Sequence, residues 1–154
     1  MALRRLSRIV FAAGLLAAAP SFADDARAKN NYLIHCQGCH LPNAIGMQGK
    51  VPPMNDFVGF FMHSQQGREY LIRVPGVAGS TLSDAHLAEL MNWLLITHSN
   101  PQMPEKVRLF SAGEVGKLRR SPLFDPEKRR IEVLRSLAKE EPGLAHAIEE
   151  GLSD

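Results

Sequence analysis

The chain has two cysteines, three positions apart, and a histidine follows the second: Cys36-Gln37-Gly38-Cys39-His40. Positions i and i+3 of a helical turn share one face, so two thiols so spaced can reach two carbons of one flat group. The next residue then projects its imidazole from the same side. This is C-x-x-C-H, the attachment sequence of c-type haem, in which both sulfurs become thioethers and the histidine meets the iron. Competing chemistries need partners that the sequence does not supply. A thioredoxin-like dithiol expects a βαβ setting, and no strand alternation is present. A zinc site would need two more ligands, such as His40 with His35 or His63, and no second paired-ligand motif exists. A disulfide across three residues closes almost no loop and adds little stability.

The first 23 residues read as an export leader. Arg4, Arg5 and Arg8 precede the apolar run Ile9 to Ala19, and Ser21 and Ala23 supply small residues at the −3 and −1 positions of a cleavage site. Eleven apolar residues in a helix rise only ~16 Å against a hydrocarbon core of ~30 Å, so no stable membrane span is expected after cleavage. The expected mature chain starts at Asp24 in the periplasm, outside the cytoplasm, where haem c is attached. The formal charge of the 154-residue chain is +2. Without the leader it turns slightly negative, which excludes a basic nucleic-acid footprint and favours neither an acidic nor a basic partner.

The elements that must position the motif are helical. Residues 26–36 predict a short helix running into Cys36. Residues 41–53, rich in Gly, Pro and Asn, predict an irregular loop. Phe57 to Met62 and Glu69 to Val74 predict a bent helical stretch broken at Gln65-Gln66-Gly67 and ended by Pro75-Gly76. Ser83 caps a helix over 84–98, with Leu82 and Leu87 as a hydrophobic staple. Leu87, Leu90, Met91, Leu94 and Leu95 form its buried stripe. Ser111 and Glu114 form a capping box with Phe110 and Val115 as staple, opening a helix to about Arg120. Nine of the fifteen residues from 127 to 141 are charged, so the tail reads as one marginal helix with an apolar edge of Ile131, Leu134, Leu137 and Ala138, broken at Pro142-Gly143. It packs on the domain, docks a partner or lies solvated.

From Ala26 to Arg120 the chain resembles the class I cytochrome c family. The resemblance rests on the helix entering Cys36-Gln37-Gly38-Cys39-His40, the Gly/Pro loop ending Val51-Pro52-Pro53-Met54, and a Met-Pro segment before a final short helix. It implies an all-α, cytochrome c-like helical shell around one covalently attached haem (residues 24–124), with a charged helical extension (residues 125–154). His40 is then the proximal iron ligand, its free N–H held by the carbonyl of Pro52 or Pro53. Tyr32, Leu33, Phe57, Phe60, Leu90, Trp93 and Leu94 are the expected apolar lining.

The sixth iron ligand is less determined. Met103, in Asn100-Pro101-Gln102-Met103-Pro104, fits the family's Met-Pro pattern before a Leu-Ser-x-x-Glu helix start, and Met54 is the alternative. Many relatives carry the ligand just before a helix like Leu82 to Leu95, but here that connection, Pro75 to Thr81, holds no methionine. His63 and His98 are bis-histidine alternatives. The expected function is electron transfer rather than enzymatic catalysis: a periplasmic carrier, exchanging electrons with a dehydrogenase, an oxidase or another cytochrome of a respiratory chain. The rivals are an open-site haem enzyme or sensor, with His63 and Arg68 or Arg73 on the distal side, and a haem subunit of a larger dehydrogenase.

Overall fold

A computed structural model describes residues 22–153. The expected leader, except for its last two residues, lies outside the described residues. Among the described residues the architecture is all-α, with one isolated bridge between Met47 and Val51. Helix α1 spans Phe22–His35 and runs into the short α2, Gln37–His40. After the long loop come a 3-10 segment, Val58–His63, then α3 at Gln65–Arg73 and α4 at Pro75–Ala78. Helix α5 is Asp84–Ser99, followed by a 3-10 turn at Asn100–Gln102 and by α6 at Ala112–Leu118.

The core is built on α5. Its stripe of Leu87, Leu90, Met91, Leu94 and Leu95 is buried, each side chain contributing about 1.5–3 kcal/mol by leaving water. Ala28 and Tyr32, one turn apart on α1, pack against it. That choice of face turns Leu33 outward, 45% exposed. Trp93 is half-buried, and Phe57, Phe60, Leu90 and Leu94 are in the core.

Three boundaries differ from the sequence expectation. Gln65-Gln66-Gly67 is not a break but the first turn of α3, because the Ser64 hydroxyl accepts from the Gly67 N–H at 3.0 Å and caps it. Pro75 opens α4 at its first turn, where its missing N–H costs no bond. The box at α6 is half made. The Ser111 hydroxyl accepts from Glu114 N–H at 3.2 Å, but the Glu114 carboxylate turns inward to Arg68 (2.9 Å) and Arg108 (2.9 Å).

The tail is part of the fold and holds two helices, not one: α7 at Pro126–Glu140 and α8 at Ala145–Ser153, joined through Pro142–Leu144. Val133, Leu134, Leu137 and Ile148 are buried, and α7 packs on α3 and on the Val58–His63 segment. The Arg130 guanidinium lies 5.0 Å over the Phe57 ring and donates to the Gly151 carbonyl at 3.0 Å, fastening α8 to α7 and the core.

Candidate metal centre

The cysteine–histidine motif forms where α1 ends. Cys36 N–H still donates to Tyr32 at 2.9 Å, and Cys39 and His40 N–H both turn back to the Cys36 carbonyl at 3.2 and 3.0 Å. Both thiols are free, Cys36 half-buried and Cys39 exposed. Burial, and then the neighbouring Cys39, push the Cys36 thiol up to about 11. A dithiol oxidoreductase needs the opposite shift, since the thiolate is its nucleophile. Two thiols one helical turn apart suit thioether formation, in which each S–H adds across a carbon–carbon double bond.

Beyond His40 the chain folds back on itself. Gly46 N–H donates to the His40 carbonyl at 3.1 Å, and Met47 and Val51 exchange both backbone bonds at 2.9 and 2.8 Å. Leu41, Ala44 and Gly46 all have positive φ, at 63°, 58° and 68°. A Cβ at Gly46 would stand 2.2 Å from the Val51 oxygen and 2.8 Å from the Pro52 oxygen, so only glycine fits. This close approach puts the Pro52 carbonyl beside the His40 ring. Burial lowers the His40 pKa, and the Pro52 carbonyl works against that. Nδ1 is buried without a hydrogen-bond partner, and Pro52 is the backbone group that bears on the ring. A neutral imidazole with one nitrogen turned to a backbone oxygen is what a metal-binding histidine requires.

The other expected site residues are dispersed. Met54 belongs to the loop that leaves His40: its N–H donates to Ala44 at 2.8 Å and its side chain packs on the core. Met103 also packs on the core. It follows the Asn100–Gln102 turn, which is tied to the Val58–His63 segment. Ser99 Oγ accepts from Gly59 N–H at 2.7 Å, and His63 Nε2 contacts the Gln102 carbonyl at 3.0 Å. His98 packs its ring on Tyr32 and Trp93, and burial lowers its pKa against the opposing charge of Asp56. The His63 and Arg68 or Arg73 set suggested for a distal pocket is engaged elsewhere. Arg68 is 7% exposed and bidentate to Glu114, while Arg73 Nε donates to the Ser121 carbonyl at 2.7 Å. Among the described residues, no group of three or more His, Cys, Asp and Glu is placed to share a metal ion.

Two features of the surroundings carry no local sequence signal. The connection between α3 and α5 is clamped by Arg119, whose guanidinium donates to the carbonyls of Ala78 (3.2 Å), Ser80 and Leu82 (2.8 Å), and pairs with Asp84 at 3.1 Å. The Tyr32 hydroxyl reaches nine residues along the chain to donate to the Leu41 carbonyl at 2.5 Å. An exposed-looking arginine and an aromatic core residue announce neither contact.

No family model matches the chain, and no solved structure matches it. It is 30% identical over 106 residues to cytochrome c-552 of Thermus thermophilus, covering 57% of this chain and 81% of that protein. It is likewise 30% identical over 106 residues to a second cytochrome c-552 from the same organism, covering 57% of this chain and 72% of that protein.

Proposed function

Because the chain belongs to the cytochrome c family, we propose that it is a periplasmic one-electron carrier holding a single haem c. Cys36 and Cys39 would hold the group through two thioethers and His40 would bind its iron; Met103 would close the sixth position, with Met54 as the alternative donor. The observation that carries this reading is the His40 cradle: a half-buried imidazole at the end of a two-thiol turn, its Nδ1 buried and the Pro52 backbone against its ring. Bound there, the iron would accept and release one electron. The protein's own share is to fix the ligands and exclude water. Gly46 lets the Pro52 carbonyl approach, Arg68–Glu114 locks α3 to α6, and the tail helices of residues 125–154 cover the core of the 24–124 domain. The leader of residues 1–23 would export the chain for haem attachment. Partners would be redox proteins such as a dehydrogenase, an oxidase or another cytochrome of a respiratory chain, with no nucleic acid and no membrane span.

One observation favours a second reading, an open sixth position that binds a small ligand. The α3–α5 connection, Val74 to Ser83, contains no methionine, histidine, lysine or cysteine, and Arg119 holds it in place. The test is to express the chain in a host that matures c-type cytochromes and record oxidised and reduced spectra of wild type, Met103→Leu and Met54→Leu. A low-spin wild type with a sulfur-to-iron charge-transfer band that only Met103→Leu loses supports the carrier with Met103. A high-spin wild type that binds added ligand moves the function to the second reading. A chain that takes up no covalent haem refutes both.

A further inference from the structure

Leu41, the residue after His40, has φ 63° and ψ 168°. A side-chain-bearing residue holds that left-handed, extended conformation only at an energetic cost, and only where its surroundings fix it. Its N–H donates to the Gln37 carbonyl at 2.8 Å, closing the helical turn. Its carbonyl accepts twice, from Ala44 N–H at 3.2 Å and from the Tyr32 hydroxyl at 2.5 Å. Tyr32 is 1% exposed, and its ring lies 5.8 Å from Trp93 and 5.9 Å from His98, so the hydroxyl is held from α5 as well as from α1.

We infer that Tyr32 is a positioning residue for His40, its hydroxyl holding the strained Leu41 carbonyl so that the imidazole keeps its orientation toward the Pro52 carbonyl. The inference rests on the reading of His40 as iron ligand. Phenylalanine would fill the same space between α1 and α5; what the hydroxyl adds is its donation to this carbonyl, beside a backbone contact with Ala44 in the same loop. His40 is then fixed on both sides, its own carbonyl by Gly46 N–H and the following residue by Tyr32. Released from Tyr32, Leu41 would relax toward negative φ and carry the start of the loop, and with it the imidazole plane, to a new angle.

The test is a double-mutant cycle on the haem-loaded, oxidised protein, read in the paramagnetic shifts of the haem methyl protons, which follow the orientation of the axial imidazole. Tyr32→Phe keeps the ring and removes the hydroxyl; Leu41→Gly removes the strain, since glycine adopts positive φ freely. Tyr32→Phe is expected to shift the methyl pattern in the wild-type background and to leave it unmoved in the Leu41→Gly background. The proposal is overturned if Tyr32→Phe shifts nothing, or shifts both backgrounds equally, which is the signature of a packing role. Should Tyr32→Phe alone fail to mature, the double variant is expected to mature, and its failure also overturns the proposal. A wild-type chain without covalent haem removes the haem-carrier reading and this inference with it. A loaded wild type with an unmoved Tyr32→Phe pattern removes the inference alone.

Discussion

Gly46 and Gly49 share a φ of 68° but not their surroundings, and replacing each by alanine separates backbone strain from crowding. At Gly49 nothing lies within 4 Å of an added Cβ, so Gly49→Ala carries only the left-handed penalty, about 1–2 kcal/mol. At Gly46 the same methyl meets the Val51 oxygen at 2.2 Å and the Pro52 oxygen at 2.8 Å. An ordinary C···O contact is about 3.3 Å, so the Val51 carbonyl must retreat by about 1 Å. Such a retreat breaks the paired Met47–Val51 bonds of 2.9 and 2.8 Å, each worth about 0.5–1.5 kcal/mol net. Gly46→Ala is therefore expected to cost about 2–5 kcal/mol, of which at least ~1 kcal/mol is absent from Gly49→Ala. Guanidinium unfolding of the haem-loaded variants, with an unchanged m-value, measures the gap. The reduction potential should move with Gly46→Ala alone, because only there is the Pro52 carbonyl pushed from His40. Equal unfolding midpoints would refute the claim that Gly46 exists for close approach, and equal potentials would refute its link to His40.

Three further outcomes follow from the packing. Glu114→Gln leaves Arg68, 7% exposed, without a facing negative charge, among a backbone carbonyl, a thioether, the Phe110 face and the new amide oxygen; the expected loss is about 3 kcal/mol at neutral pH by chemical denaturation. Burial alone would raise the Glu114 carboxyl, but Arg108 and Arg68 outweigh it and hold it below the usual range. Its stabilisation is therefore complete above the unfolded value of ~4.3 and fades as pH falls through the lower folded value, so the wild-type advantage in Tm should shrink on acidification from pH ~6 to ~3; a constant advantage counts against the pairing. Ser99→Ala leaves the buried Gly59 N–H without its 2.7 Å acceptor and should cost about 1–3 kcal/mol, read by thermal unfolding. Leu134→Ala, at a fully buried position of α7, should cost about 2–5 kcal/mol. A change near zero would mean that the tail is not packed on the core in solution.

The parts legible in the sequence are those whose cause is local. Ser83 and Ser111 cap α5 and α6 where their spacing to the following turn placed them, and the α5 stripe is buried as its 3.6-residue period requires. The illegible parts have distant causes. Gly67 reads as a break, yet it sits inside α3 under the Ser64 cap, and it is glycine because a Cβ there would stand 2.1 Å from the Phe61 carbonyl oxygen. Leu33 and Tyr32 look equally apolar, and only the direction of the α1–α5 crossing decides that one faces in. Helix α8 escaped notice because its one fully buried residue, Ile148, is surrounded by His146, Glu149 and Glu150. Glu114 reads as half of a capping box, and the arginine that claims it lies 46 residues away.

The sixth coordination position turns on the length of one helix. Helix α5 has sixteen residues, so its ends are ~24 Å apart. At the first end lies the donorless Val74–Ser83 connection, clamped by Arg119. At the second end lie Met103, the ring contact of His98 with Tyr32, and the bond from Asp56 N–H to the His98 carbonyl at 2.7 Å. Met103 therefore comes from the end of α5 that also meets the loop leaving His40, not from the end at the Val74–Ser83 connection. A methionine in that position ligates only if the Asn100–Gln102 turn is held rigid, and Ser99, fully buried and bonded to Gly59 N–H and to Gln102 Oε1 at 3.2 Å, is the residue that holds it. Ser99→Ala thus has two different consequences. With Met103 on the iron, loosening its turn raises the high-spin fraction along with the loss of stability. With an open site, the stability falls and the spectrum does not change.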